Sequence, residues 1–305
     1  MNLHTHCQKT QIIKVKMKLE GRRRSTNVED RRGRGTGKMV GGGIGIGAIL
    51  YIIFQLLSGG DPSDALGQLA QQQQQSTQQE QVDQSQFSQE EQAWFTFAER
   101  VVGSTEDIWA KEFPKQLNRQ YNPPGVVIFT NQTRTACGLA NSGTGPFYCP
   151  ADEKVYIDLS FRKQLARQFG ASGDFAMAYV IAHEVAHHIQ NELGYTDHVQ
   201  RQRGRVSQSQ YNDQSVRLEL MADFLAGVWA HHEYQTFKSL DEQDIQEALN
   251  AAHAIGDDNI QKQMQGYVRP ESFTHGTSAQ RQKWFTLGLR TGDVSQGDTF
   301  NARVL

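Results

Sequence analysis

The chain has 305 residues, of which 37% are hydrophobic and 21% are charged, and its formal charge is −2. This length is enough for a sizeable core, and a mean hydropathy of −0.61 excludes a polytopic membrane protein. The charge is uneven: residues 1–38 hold 11 Lys and Arg against 3 Asp and Glu, a balance of +8, which leaves −10 for the remainder. Nucleic-acid-binding proteins carry their basic surface on the folded domain, so we expect no nucleic-acid partner.

Residues 39–57 form a 19-residue apolar segment without charges. As a helix it measures roughly 28 Å, enough to cross the hydrocarbon core of a bilayer. The basic head at 1–38 then predicts a cytoplasmic N-terminus and an exported remainder. We expect a single-pass protein of the cell (inner) membrane, in contact with lipid through this helix, with a periplasmic or extracellular domain. A cleaved signal peptide and a buried core helix are the alternatives.

The next segment is rich in Gln and Ser, with an unbroken Gln run at 71–75. It has too little apolar surface to offset the entropy of ordering, so we predict a flexible linker at 58–87 and a folded domain at 88–305. Ser88 and Glu91 have the spacing of a helix capping box. A second helix is predicted at 106–120.

Short strands are predicted at 126–130 and 154–159, and helical patterns dominate after Phe175. The fold class is therefore α+β, with a small sheet and a larger helical part. Cys137 and Cys149 flank a loop rich in Gly and Ser, and we predict a disulfide between them in the exported domain. The alternative is a metal site, but two Cys without a nearby His make a poor set of zinc ligands.

The residues that carry chemistry lie at 181–189, in the sequence IAHEVAHHI. On a helix, His183 and His187 project from one face, one turn apart, as two ligands of one zinc ion require. Glu184 lies between them, placed to take a proton from water at the metal. The alternative is a pair of core histidines with hydrogen-bond partners.

A catalytic zinc takes three protein ligands, and Glu219 in RLELMADFLAG is the candidate for the third. Asp223 lies four residues further on the same face and could bond the outer nitrogen of a liganding His. The alternative is that the carboxylates of Glu219 and Asp223 both face solvent. His198 and His188 are rival third ligands.

The chain resembles the putative neutral zinc metallopeptidases, which are membrane-anchored bacterial proteins related to the zincins. The resemblance begins at Met17, which leaves residues 1–16 outside it. The segments that carry it are LEGRRRSTNVEDRR, CGLANSGTGPFYCPADEKVYIDLSF, HEVAHHIQ, LELMADFLAG, AIGDDNIQ and FTHGTSAQRQKWF.

The resemblance implies a zincin-like domain in which His183 and His187 bind zinc and Glu184 is the general base. It also supports Glu219 as the third ligand and Asp223 as the partner of a liganding His. By analogy with zincins, the strand at 154–159 would lie along the substrate cleft.

Two loop segments carry further candidate residues. A zinc peptidase stabilises the oxyanion beside the metal, and His275 is our candidate for this role, with Tyr267 second; His275 could instead brace the loop before a helix at 278–289. Asp257 and Asp258 either orient a ligand or end a helix at Gly256, and we favour the helix end.

We expect an enzyme that binds one Zn²⁺ per chain and hydrolyses a peptide or protein substrate. The alternative is a membrane-tethered binding or assembly module with a structural or vestigial zinc. In that case a fourth protein ligand, such as His198 or His275, would close the site.

Overall fold

The computed structural model describes residues 17–33, 84–170 and 173–305. The predicted membrane segment at 39–57 and most of the predicted linker at 58–87 lie outside these residues. Among the residues described, no helix combines the length and the apolar character needed to cross a bilayer.

The described residues form six strands and eight α-helices, in agreement with the predicted α+β class. The strands are β1 Val28–Arg31, β2 Gly125–Phe129, β3 Gln132–Thr135, β4 Gly138–Asn141, β5 Phe147–Cys149 and β6 Lys154–Asp158. The helices are α1 Gln89–Leu117, α2 Phe161–Phe169, α3 Asp174–Glu192, α4 Tyr195–Gln200, α5 Gln208–Phe237, α6 Glu242–Ala254, α7 Asp257–Gln265 and α8 Ser278–Thr291. Short 3-10 turns lie at Gln84–Gln86, Pro270–Ser272 and Val294–Gln296.

The main sheet has four strands in the order β1-β2-β6-β5. β1, β2 and β6 are parallel, and β5 is antiparallel to β6. β3 and β4 form a separate antiparallel pair. The strand predicted at 154–159 is therefore confirmed as β6, but it lies inside the sheet, and β5 is the outer strand beside it.

The first described segment belongs to the domain. β1 pairs with β2 in register from Val28 opposite Val126, and Met17 and Leu19 are buried in the main hydrophobic core. The predicted division between a separate basic head and a domain that begins at residue 88 is therefore wrong for residues 17–33. If the chain crossed a membrane once between residues 33 and 84, β1 and β2 would lie on opposite sides of it and could not pair.

The arginines of this segment explain the error, because each of them has an acidic partner in the fold. The ion pairs are Arg22 with Glu233, Arg23 with Glu106, Arg24 with Glu99, Arg31 with Glu29 and Arg32 with Asp30. The positive-inside rule applies to charges that flank a membrane segment. The same charges here neutralise buried and half-buried carboxylates.

The first two predicted helices are parts of a single helix, α1. Ser88 and Glu91 form the predicted capping box at the start of α1. The helices predicted at its beginning and at 106–120 are continuous over 29 residues, with Pro114 in the last turn. Since α1 packs against α3 and α5, it forms one wall of the core around the helices that carry the site.

Helices α5 and α8 approach each other closely at two glycines. A Cβ atom at Gly227 would lie 2.1 Å from the carbonyl oxygen of Phe285, and one at Gly288 would lie 2.0 Å from that of Phe224. No side chain fits at either position without a shift of backbone. This contact brings the N-terminal half of α8 against the part of α5 that carries Glu219 and Asp223.

The predicted disulfide between Cys137 and Cys149 is present. It closes the loop that contains β4 and leads into the outer strand β5. Residues 142–148 of this loop line the main cavity of the described structure, so the disulfide constrains one wall of that cavity.

Candidate metal centre

Helix α3 positions the two histidines as the spacing predicts. The imidazole rings of His183 and His187 lie on one face with their centroids 4.8 Å apart. α3 is buried along most of its length because apolar residues fill its other faces. Only 7% of the His183 side chain and 15% of the His187 side chain are exposed, so both rings lie at the bottom of a cavity rather than on the surface.

Helix α5 brings Glu219 to both rings. Its Oε2 lies 3.2 Å from Nε2 of His183, and its Oε1 lies 3.5 Å from Nε2 of His187. Zinc–nitrogen and zinc–oxygen bonds of about 2.1 Å place two ligands of a tetrahedral ion roughly 3.4 Å apart. Two nitrogens and a carboxylate with these separations fit a zinc ion, as predicted for His183, His187 and Glu219.

The outer nitrogens of both rings have hydrogen-bond acceptors. Nδ1 of His183 lies 2.9 Å from Oδ1 of Asp223, and Nδ1 of His187 lies 2.8 Å from Oε1 of Gln190. The amide nitrogen of Gln190 donates to the carbonyl oxygen of Leu218, which turns its oxygen toward the ring. With Nδ1 as the donor on each ring, the lone pair of Nε2 is directed at the metal position.

Asp223 is the centre of a buried polar network behind His183. The side chain of Asp223 is fully buried. It accepts hydrogen bonds from the Tyr179 hydroxyl and, at 2.8 and 3.0 Å, from the Nε and Nη2 atoms of Arg281. A buried carboxylate is costly unless it is paired and hydrogen-bonded; here a guanidinium, a phenol and an imidazole satisfy it.

The charges of the network set the protonation of its members. Burial alone would raise the pKa of Asp223, but Arg281 and His183 lower it to about 2. Burial alone would lower the pKa of His183, but Asp223 and Glu219 raise it to about 10. Despite burial, His187 and His275 hold the pKa of Glu219 well below its usual range. The ionised carboxylates therefore favour a cation at Nε2 of His183.

The three donors open into a cavity of about 780 Å³. Glu184 also lines this cavity, beside the two histidines, and only 8% of it is exposed. Much of the remaining wall is apolar and includes Phe147, Phe161, Ile260 and Met264. A water molecule or a substrate group can thus reach the metal position and the Glu184 carboxylate from the same side.

His275 lines the same cavity. Its side chain is half exposed, and its Nδ1 lies 3.4 Å from Oδ1 of Asp257. Oδ2 of Asp257 accepts hydrogen bonds from the backbone N–H groups of residues 274, 275 and 276. The predicted helix end at Gly256 is confirmed, because α6 ends at Ala254 with Ile255 as its C-cap. Asp257 begins the next helix, α7, directly after Gly256 and also holds the His275 loop in place.

The alternative candidates for the third zinc ligand and for the residue that stabilises the oxyanion do not lie at the metal position. Nε2 of His188 lies 2.7 Å from the carbonyl oxygen of Asn122, and its Nδ1 lies 3.2 Å from the Tyr148 hydroxyl. His198 is exposed on α4, where its Nε2 contacts Gln202. Tyr267 is half exposed and is not among the residues that line the cavity.

Sequence reasoning missed three residues of the site: Tyr179, Gln190 and Arg281. Arg281 was the easiest to find, because it lies three and four residues before Trp284 and Phe285, on the buried face of α8. An arginine on such a face requires a buried acidic partner. The sequence offered no means of choosing which one.

The site combines two histidines one helical turn apart, a carboxylate from a second helix and a Glu beside an accessible cavity. This is the arrangement typical of HExxH-type metalloproteins. The chain belongs to the putative neutral zinc metallopeptidase family, whose sequence model matches residues 17–300.

Two curated relatives illustrate how far the similarity extends. The chain is 44% identical over 296 residues to the uncharacterized protein YpfJ of Escherichia coli K12, an alignment that covers 94% of this chain and 100% of that protein. It is 44% identical over 216 residues to the uncharacterized protein Rv2575 of Mycobacterium tuberculosis H37Rv, which covers 67% of this chain and 70% of that protein. No solved structure matches the chain significantly.

Proposed function

We propose that the protein is a zinc-dependent peptidase. The observation that carries this proposal is the meeting of the His183, His187 and Glu219 donors beside Glu184 in one accessible cavity. Family membership supports the same conclusion. Zinc would be held by Nε2 of both histidines and by the Glu219 carboxylate, one ion per chain.

Each residue has a defined task in this reaction. When bound, zinc lowers the pKa of a water ligand and polarises the scissile carbonyl group. Glu184 accepts the proton of the attacking water and then delivers it to the leaving amine. His275, when protonated, donates a hydrogen bond to the oxygen on which negative charge develops. Asp257 and Asp223 position His275 and His183 respectively.

The substrate would be an extended peptide. β5 is the outer strand of the main sheet, and Phe147 and Tyr148 in it line the cavity. An extended chain can add to such an edge through main-chain hydrogen bonds. This supports β5, rather than the interior strand β6, as the strand that aligns a peptide with the metal.

The second candidate function is a binding or assembly module with a structural zinc. It requires a fourth protein ligand that closes the site. In the described part of the chain, the potential ligand group contains three residues and neither His198 nor His275. The accessible cavity beside the donors therefore favours the peptidase.

We further propose that the domain acts outside the cytoplasm, attached to a membrane through residues 39–57. The Cys137–Cys149 disulfide supports an oxidising compartment. Because β1 pairs with β2, residues 17–33 lie on the same side of the membrane as the metal centre in this proposal.

The decisive experiment compares three variants in zinc content and in cleavage of an unfolded protein such as casein. Glu184→Gln should keep stoichiometric zinc and lose roughly 10²–10⁴-fold of its activity, because the proton acceptor is gone. Glu219→Ala should lose or weaken zinc binding. Glu192→Gln, at the end of the same helix, is the control and should retain both properties. Undiminished activity in Glu184→Gln would overturn the mechanism, and unchanged zinc affinity in Glu219→Ala would remove that ligand.

A further inference from the structure

Helix α7 carries an apolar face that is not packed into the core. Ile260 and Met264 are four residues apart and therefore project from one face of the helix. An amphipathic helix normally buries such a face, but no residue of α7 is buried. Ile260 and Met264 instead line the cavity that contains the metal centre.

The apolar face continues into the segment that follows α7. Three of the six large apolar side chains that are exposed in the described chain lie between 264 and 268: Met264 is 44% exposed, Tyr267 50% and Val268 39%. The chain turns back along α7 at this point, since the N–H of Arg269 donates to Oε1 of Gln261 at 2.8 Å. We call Ile260, Met264, Tyr267 and Val268 the apolar rim.

The first residue of α7 fixes the apolar rim relative to the metal centre. Oδ2 of Asp257 accepts hydrogen bonds from the backbone N–H groups of residues 274, 275 and 276, and His275 lines the cavity. One helix thus carries both the support of the His275 loop and the apolar rim. A group bound at the rim therefore lies beside the residues that act on a substrate.

The charged side chains that line the cavity all serve the metal centre. In the described structure, each of them belongs to that centre, supports it or assists in the proposed reaction. They are His183, Glu184, His187, Glu219, His275 and Arg281. A charged substrate residue would lose hydration in the rest of the wall without gaining an ion-pair partner, whereas a large apolar residue is stabilised by burial.

We propose that the apolar rim binds a large apolar side chain of the substrate, so that the enzyme selects polypeptide segments with Leu, Phe or Met close to the scissile bond. This inference rests on the peptidase function proposed above and adds its substrate class, which is unfolded or extended chains. Folded proteins bury most side chains of this kind. A substrate is the occupant of the rim because Ile260 and Met264 belong to the wall of the cavity itself.

The test compares peptides that differ in one residue. Zinc-loaded full-length protein is given peptides of Gly and Ser whose central residue is Phe, Gln or Lys. The Phe peptide should have a kcat/KM roughly 10–100-fold above that of the Gln peptide, as expected for burial of one large apolar side chain. Met264→Glu should reduce this preference roughly 10-fold and improve cleavage of the Lys peptide relative to the Phe peptide, because it places a charge and removes apolar surface.

Two control variants show whether the effect belongs to the apolar rim. Met264→Leu has a similar volume and should keep the preference for Phe. Val304→Glu changes an exposed apolar residue that does not line the cavity, and it should also keep the preference. Loss of the preference in Val304→Glu would show that added negative charge alone causes it, and would contradict the proposal.

A binding measurement separates this proposal from the peptidase function. In the Glu184→Gln variant, fluorescently labelled Phe and Gln peptides are titrated and the anisotropy gives their dissociation constants. The Phe peptide should bind roughly 10-fold more tightly, and adding Met264→Glu should remove the difference. Preferential binding of the Phe peptide without cleavage by the parent protein would refute the peptidase function and support the apolar rim.

Two results would overturn the proposal while the peptidase function stands. The first is cleavage of the Phe and Gln peptides with equal kcat/KM. The second is an unchanged preference in Met264→Glu, which is the result expected if a lipid surface or a second copy of the chain covered the apolar rim.

Discussion

Oδ1 of Asp223 lies 2.9 Å from Nδ1 of His183, on the side of the ring that faces away from the metal position. A carboxylate at this nitrogen fixes the ring and its tautomer and makes Nε2 a better ligand.

Asp223→Asn should therefore weaken zinc binding by roughly 10–100-fold, because the amide has a similar size but lacks the charge. Competition with a chelator of known affinity measures this. Asp213→Asn, an exposed residue of the same helix, should leave the affinity unchanged. Equal zinc affinity in Asp223→Asn and the parent protein would show that the bond has no influence on the ligand.

Arg281 should be essential for stability rather than for chemistry. Only 2% of its side chain is exposed, and it is bonded to the fully buried Asp223. Arg281→Met leaves that carboxylate without its guanidinium and should cost about 3–5 kcal/mol of unfolding free energy. Urea denaturation measures the loss. Arg290→Met, at an exposed position on the same helix, should change the stability little; a similar effect of both substitutions would contradict this role of Arg281.

The difference between these residues explains how much of the site the sequence could predict. His183, Glu184 and His187 share one helical turn, and Glu219 and Asp223 share another, so local spacing indicates both groups. Arg281 lies 58 residues from Asp223 and 102 from Tyr179. No local pattern joins residues at such separations, because the close packing of α5 on α8 brings them together.

The pH dependence of activity should depend on Asp257. Partial burial lowers the pKa of His275, but Glu219 and Asp257 raise it above its ordinary value. The protonated imidazole therefore persists to higher pH, and activity that needs it is lost as the pH rises through the raised pKa. Asp257→Asn should move this alkaline limb of kcat/KM to lower pH.

The pH profile of kcat/KM for the zinc-loaded enzyme measures this shift. His275→Ala, as the comparison, should remove the limb and lower kcat/KM at pH values below it. An unshifted limb in Asp257→Asn would mean that another group titrates there.

The fold was predictable where local patterns decide it, and less so where tertiary contacts do. The capping box of α1, the strand β2 and the strand β6 were predicted within one residue at most of their ends. β1 was not, because its four residues, VEDR, contain three charges and have no apolar alternation. It forms a strand because β2 offers a free edge and ion pairs neutralise its charged side chains.

The disulfide should support both stability and substrate binding. Cys137 and Cys149 close a loop whose residues line the cavity. Replacing both by Ser should cost about 2–3 kcal/mol of unfolding free energy in the chain-entropy model. It should also raise KM more than it lowers kcat. The loop forms part of the wall of the cavity, where a substrate binds, and does not supply the proton acceptor Glu184. A reducing agent should reproduce the effect in the parent protein and have none in the double variant.

The pairing of β1 with β2 predicts that residues 17–33 and the rest of the domain share one compartment. Single cysteines at Glu20→Cys and Lys111→Cys, both exposed positions, can be placed in a chain in which Cys7 is replaced by Ser. A membrane-impermeant maleimide applied to intact cells with a permeabilised outer envelope should label both or neither, because the two positions belong to one folded unit. Lysed cells provide the control for reactivity, since both cysteines should then label. Labelling of only one position in intact cells would place the two segments on opposite sides of a membrane and would contradict the sheet.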